Sequence, residues 1–541
     1  MNVFCTFIKY IKERGVTMKR SLALILATIM VFALFSGCNK SEENTTAASG
    51  DSQSSSDTPS GNMRTDIIIC DGFDIVTFDP PEITDVYSGM TAQLIYDRLV
   101  RLDENAEVVP MLAESWEMPS DTEYVFKLRE GVKFHNGDEM KASDVVFSLL
   151  RARDNPKSYT AFEMVENVEA IDDYTVKLTT KEPFAPMLLK LCGSNAGILS
   201  EKVVTEVESK GEAYGANPIG TGCMTMTTYK PNDHVLMTRF DDYWGGLVRA
   251  TTITRRVIPE ESSRTIALEN GEVDYIDSLP SVDVERVRSN PDLKAVDMLS
   301  SSVAYIGLNV EREPFNNKDI RKALHYAINK QNIVDVQFEG LGIASTSIFP
   351  SIMYCFDKDL DMYPMDVEKA KEHMVLGGYP DGFSMNIIVS SELRSRICQL
   401  IQQDYKAINV ELDIEMAEFG TVLDLTSRGE FDAFLLGWSN ATDPDSTVMS
   451  NFHSSKIGGG GNRVRLNNPE IDALIDKARS TLDEDKRTEM YMQLQTMIMD
   501  ECAWIPLVQQ TYVAGMLKGV DGVEMYEAGG RYYRNMVVYE D

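Results

Sequence analysis

Residues 112–150 constrain the fold more than any other stretch. They read LAESWEMPSDTEYVFKLREGVKFHNGDEMKASDVVFSLL. Tyr124, Phe126 and Leu128 alternate with Val125, Lys127 and Arg129, the period of two expected of a half-buried strand. Gly131 and the Asn136-Gly137 pair supply turns, because both allow positive φ at little cost. Ala142, Val145, Val146, Leu149 and Leu150 then recur at helical spacing. Strand, turn and amphipathic helix in close succession make an α/β packing unit, and no catalytic constellation sits within it.

A chain of 541 residues can bury several such units, so two or three domains are expected. Residues 1–38 stand apart from them. Met18-Lys19-Arg20 is basic, residues 21–35 are an almost unbroken apolar run, and Ser36-Gly37-Cys38 closes it. That run is too short to span a bilayer comfortably and suits a signal peptide. The small residues before Cys38 look like a lipobox, so Cys38 is expected to carry lipid as the first mature residue, on the outer face of the cytoplasmic membrane. Residues 1–17 precede a complete signal sequence, and Met18 is the expected start. Residues 39–62 are rich in Ser, Thr, Asn and Asp and read as a flexible tether.

Without residues 1–38 the chain keeps 47 Lys and Arg against 83 Asp and Glu, a formal charge of −36. Such acidity argues against nucleic acid as a partner. It fits a cationic ligand and plain solubility equally well. Six cysteines remain (Cys70, Cys192, Cys223, Cys355, Cys398, Cys502), without CxxC or metal-ligand spacing, and read mostly as buried small hydrophobes. An enzyme would need a constellation that is missing. The sequence has no HExxH, no GxSxG and no GxxxxGK[ST], and its five His (His135, His234, His325, His373, His453) lie far apart. Gly458-Gly459-Gly460-Gly461 lacks the following Lys and reads as a loop. No catalytic residue, metal or cofactor is expected.

The string at 112–150 resembles the signature of the family 5 solute-binding proteins of ABC transporters, the oligopeptide, dipeptide and nickel binders. Residues 112–116 match LAESW, 124–137 match YxFxLRxGVKFHxG, and 144–149 match DVVFSL. Lys141 stands where the family has Thr, so the helix cap is expected from Ser143 or elsewhere. Other matches follow in order. Ile67, Ile68 and Ile69 read as a first strand, residues 81–88 as a loop, and residues 91–99 as a helix. Pro218-Ile219-Gly220-Thr221-Gly222 resembles a family turn whose glycines suit positive φ. Asp242-Tyr243-Trp244-Gly245-Gly246, Gly271-Glu272-Val273-Asp274 and Trp504-Ile505-Pro506-Leu507 match further family strings. Ile320, Leu324, Ala327 and Ile328 form one apolar helix face, and Asn468-Pro469 opens another helix with residues suited to its cap.

The resemblance implies a periplasmic-binding-protein-like fold of type II, in the large cluster: two α/β lobes with an inserted domain and a ligand cleft between lobes. Lobe I would comprise residues 63–98, 218–305 and 506–541, the insert 99–217, and lobe II 306–505. The implied function is capture of a small peptide or peptide-like solute by hinge closure and delivery to ABC permease subunits with cytoplasmic ATPases, by a monomer held at the membrane through its lipid. Alternatives with the same fold are a peptide-signal receptor without transport, or an importer component for a nickel chelate, an opine or an oligosaccharide. No His falls in the stretches implied to line the site, which weighs against nickel.

Ligand contacts are implied for Thr84, Asp85 and Val86 at the rim, for Tyr305, and for Trp438. Taken alone, Asp85 is a solvated loop carboxylate, and Tyr305 and Trp438 are core aromatics. Peptide-binding relatives carry an Asp three residues after this Trp that pairs with the peptide α-ammonium. Here that position is Ala441, nearer the glutathione-type branch. Asp443 and Asp445 follow, and the sequence leaves open whether Asp443 takes the role. Arg463 reads either as a planar fork for a ligand carboxylate or as a surface arginine.

Overall fold

The computed structural model describes residues 62–439, 443–458, 461–525 and 531–540. The expected signal peptide, the lipidation site Cys38, nearly all of the tether, Ala441 and the glycines 459–460 lie outside the described residues.

The isoleucine run forms the strand Asp66–Asp71, parallel to Thr252–Val257 and Tyr275–Ile276. Asp274, buried beside it, accepts the Ile68 N–H at 2.7 Å and pairs with Arg64, so the GEVD carboxylate pins the first strand. The following helix is Val86–Ile95 rather than 91–99. It starts early because Asp85 adopts extended backbone and accepts the Ser88 N–H at 2.8 Å, a side-chain N-cap.

The 112–150 unit folds as its periodicities require. The last four residues of LAESW open the strand Ala113–Ser120, antiparallel to Glu123–Leu128, which continues through Thr175–Thr180 to Val165–Asp172 in a four-stranded sheet. Tyr124, Phe126 and Leu128 face a core shared with Ala142, Val145 and Leu149 of the helix Ala142–Asp154. Gly131 and Gly137 do adopt positive φ, 72° and 87°. The cap comes from elsewhere than Ser143. The Asp144 carboxylate reaches back to the Lys141 N–H at 2.9 Å and also takes the Glu201 N–H at 3.0 Å.

Gly220 and Gly222 are needed for a different reason from the one expected. Neither has positive φ, but a Cβ at Gly220 would lie 2.0 Å from the Ile95 carbonyl oxygen, and one at Gly222 2.5 Å from that of Leu94. The chain returns from the insert in backbone contact with the end of the Val86–Ile95 helix. Beside this crossing Asp97 is buried and accepts bonds from Trp244 Nε1 (2.6 Å), Thr221 Oγ1 and Tyr243 OH (3.3 Å each). Burial raises its carboxyl to about 6, against the pull of those donors.

Two long strands, Leu293–Leu308 and Trp504–Leu517, run antiparallel through both lobes. Their first register, Leu293↔Leu517 to Leu299↔Thr511, adjoins Tyr275–Ile276. The ladder then breaks and resumes at Val303↔Gln509, where Ala433–Ser439 joins on the other side. Beyond it lie the parallel strands Phe383–Val389 and Val410–Met416. Hydrogen-bonded strands therefore run continuously from lobe to lobe, but only through a pair whose register fails at Ser300–Ser302. Separate hydrophobic cores lie on either side, one around Ile67, Ile253 and Tyr275, the other around Ile306, Ile387 and Leu435. Ile320, Leu324, Ala327 and Ile328 face the second core, and Asn468 caps the helix Pro469–Ser480. The six cysteines are free thiols, all but Cys192 buried.

Candidate ligand cleft

A cavity of about 820 Å³ opens where the hinge ladder is broken. That is the size range of small-molecule sites. Its wall is built by chain ends. Asp66–Asp71 runs out into Gly72 and Phe73, the loop Ile83–Thr84–Asp85 leads into the capped helix, and Leu299, Ser300 and Ser301 leave the ladder beside Gln510 and Tyr512. Asn195 comes from the insert and Ser439 from lobe II. Ser300 is held by its neighbours: Gln509 Nε2 donates to its carbonyl at 2.7 Å, and its Oγ takes the Ser302 N–H at 2.9 Å.

The charges in this wall are arranged unequally. Asp71 receives Arg255 Nε at 2.9 Å, and both are fully buried. Burial raises the Asp71 carboxyl above its usual range against the pull of that guanidinium. Asp277 pairs with Arg531 and accepts the Tyr533 hydroxyl at 2.9 Å. Arg264, on the helix Glu261–Glu269, has no such partner. It is only 8% exposed, and its Nη1 donates to the carbonyls of Ile258 (2.9 Å) and Pro259 (3.0 Å). Among the described residues its Nε and Nη2 make no hydrogen bond, and no carboxylate lies within 4.0 Å of it. Room for the guanidinium comes from Gly72, where a Cβ would sit 2.7 Å from Nη1.

Of the residues expected at the site, Thr84, Asp85 and Val86 line this cavity. The structure places the other four elsewhere. Tyr305 is buried, stacked on Trp504 with ring centroids 3.4 Å apart, with Phe434 edge-on. Trp438 follows Phe434 and Leu436 on one face of Ala433–Ser439, and that face packs into the lobe II core. Strand alternation turns its neighbour Ser439, not Trp438, to the cavity. Arg463 Nη1 donates to the Leu423 carbonyl (2.8 Å) and Thr426 Oγ1 (2.9 Å), and burial lowers its pKa. Asp443 caps the helix Pro444–Phe452 through the Asp445 N–H at 3.0 Å and pairs with Lys190 Nζ at 2.9 Å. Arg264, Gly72 and the Ser300–Ser302 break escaped sequence reading, since a missing counter-ion and a register shift leave no local pattern.

A family model described as bacterial extracellular solute-binding proteins, family 5 Middle, matches residues 107–460. The chain belongs to this family. Heme-binding protein A of Haemophilus influenzae is 29% identical, over 93% of this chain and 96% of its own length. The dipeptide-binding protein of Escherichia coli is 30% identical, over 82% and 89%. Among solved structures, the ABC transporter-associated periplasmic binding protein DppA of Helicobacter pylori, in complex with the peptide STSA, superposes with TM-score 0.76 at 28% identity, covering 88% of this chain and 99% of that one.

This solute-binding protein has a second concentration of charge, at the seam between insert and lobe II. Lys190 of the insert meets Asp443, and Glu163 meets Lys456 (3.4 Å) and Arg479 (3.5 Å). Arg479 Nε also meets Asp445 at 3.0 Å, and its carbonyl accepts the Ala185 N–H at 2.9 Å. Three cations face three carboxylates. Among the described residues no cluster of His, Cys, Asp and Glu could hold a metal, and no helix is long and apolar enough to cross a membrane.

Proposed function

We propose that this family 5 protein captures a small peptide or peptide-like solute for an ABC importer. It does so by closing its lobes over the cavity and presenting the load to permease subunits driven by cytoplasmic ATPases. The observation that carries this reading is the position of the cavity, at the register break of the two strands that join the lobes. A ligand seated there touches lobe I, the hinge and the edge of lobe II together, so its binding favours the arrangement in which all three converge. The wall suits an amide chain. Ser300, Ser301, Ser439, Gln510 and Asn195 offer donors and acceptors of modest strength, and two relatives are named for or bound to peptides. No catalytic step enters this reading.

Within it, Thr84, Asp85 and Val86 are ligand contacts, the lobes and insert divide at the boundaries given above, and the protein works as a monomer lipidated at Cys38. Mass spectrometry of the compound that co-purifies in the cleft, followed by calorimetry with it, tests the ligand. A short or modified peptide binding one per chain is expected. A metal chelate or an oligosaccharide would end the peptide reading. Intact-mass analysis of the membrane fraction tests the anchor, and an unmodified N-terminus would remove it.

A further inference from the structure

We infer that Arg264 is the carboxylate anchor of the cleft, the group that selects ligands carrying a free acid. The inference rests on the peptide reading above and adds the charge that the ligand must present. Its basis is the unequal pairing of the arginines in a cavity wall that also holds the carboxylates Asp85 and Glu261. Arg531 also lines the cavity, but Asp277 neutralises it. Arg255, just behind the wall, is neutralised by Asp71. Arg264 alone of these three is buried without a carboxylate among the described residues. Removing a guanidinium from water is costly unless a counter-charge or several acceptors replace the solvent. Two carbonyls take Nη1, while Nε and Nη2 keep access to solvent at the cavity. Glu261, one helical turn away and exposed, makes no ion pair with it.

The guanidinium is also held in place before any ligand arrives. The Ile258 and Pro259 carbonyls fix one nitrogen, and the missing Cβ at Gly72 lets the plane lie against the end of the first strand. What remains is the edge formed by Nε and Nη2, two parallel N–H donors that match the two oxygens of a carboxylate. A ligand acid seated on this edge would complete a pair like those already made by Arg255 and Arg531. A purely structural Arg264, tying down the Ile258–Pro259 turn, would need only Nη1.

The test uses a tryptic casein digest as probe, in native form and with every carboxyl converted to a neutral amide. Each is passed over ligand-stripped, full-length protein, and the retained peptides are quantified by mass spectrometry. The wild type is expected to retain native peptides at least about thirty-fold better than their amidated forms. In Arg264→Gln that ratio should collapse towards one through loss of native peptides, with retention of amidated peptides unchanged. Arg264→Lys should recover part of the ratio, since it restores charge without the fork. Equal retention of both digests by the wild type would overturn the anchor and leave the peptide reading standing, whatever the variants do. A ratio that survives in a folded Arg264→Gln would overturn it too, by assigning selection to another cation. Retention of neither digest would overturn the peptide reading and the anchor together.

Discussion

Arg264 and Arg479 are both largely buried arginines, and they sit in opposite electrostatic circumstances. Arg479 lies in the seam between insert and lobe II, with Asp445 and Glu163 against it and Lys190, Lys456 and Asp443 completing a neutral set. Arg264 lies in the cleft wall with two carbonyls and an unoccupied edge. The protein closes its own charge balance where two of its parts meet in this structure. It leaves the balance open where something from outside is to be held. Burial alone therefore does not tell a structural arginine from a binding one; the state of its partners does.

The largest effect is expected at the seam. Lys190→Met leaves Asp443 buried beside an apolar side chain, and a loss of about 3–5 kcal/mol of stability is expected in urea unfolding at pH 7. A loss under about 1 kcal/mol would mean that the seam is not held by its charges.

A half-buried base that has no acid partner makes a third case. Burial pushes His135 down to about 4, while its ring bonds the Gly222 carbonyl at 2.9 Å. Its folded pKa lies below the unfolded value, so the unfolded chain binds more protons between the two. Stability present above about 6.5 is then lost as pH falls towards about 4, by about 2–3 kcal/mol from this residue. Thermal unfolding of wild type and His135→Asn across that window checks it. The variant should show a shallower fall, and parallel curves would remove His135 as the cause.

At the cleft the expectation for stability is small. Arg264→Gln frees two carbonyls but also removes a buried charge without a counter-ion, so a change of about 1 kcal/mol is expected. A loss matching that of Lys190→Met would place Arg264 in the same class as Arg479 and undo the contrast. The least effect belongs to Asp85. Asn caps a helix as well as Asp, so Asp85→Asn should change the unfolding midpoint by only a few tenths of a kcal/mol, whereas Asp85→Ala should cost about 1 kcal/mol. Equal losses would mean that its charge, and not its cap, is what matters.

The elements written in periodicity were legible from the sequence. Tyr124, Phe126 and Leu128 and the helix face at Val145 and Leu149 sit in the core that their spacing requires. Features that depend on another part of the chain were not. Gly220 and Gly222 looked like turn glycines and prove to be points of backbone contact with Leu94 and Ile95, which no local pattern announces. Asp85 carried a legible signal, a cap acceptor three residues before Ser88, but resemblance to a loop obscured it. At the cleft, strand alternation along Ala433–Ser439 puts Trp438 and Ser439 on opposite faces, and only resemblance placed the tryptophan on the ligand side. Asp443 was the hardest to read. Whether a carboxylate is spare depends on Lys190, which lies in the insert, far away in sequence.

A sheet folds along a crease where its ladder is already cut. Between Leu299 and Val303 the pairing to Trp504–Leu517 is interrupted, although Ser302 still pairs with Ser439, and side chains bridge the gap: Gln509 on the Ser300 carbonyl, Ser300 Oγ on the Ser302 amide. Side-chain bonds turn with a few torsions, whereas a ladder must rupture. Bending at this interruption would spare the ladder between the two long strands on either side of it. Because the cavity wall includes Ser300 and Ser301 themselves, a bound solute touches the crease directly. Its grip on those residues is the torque that sets the angle between the lobes.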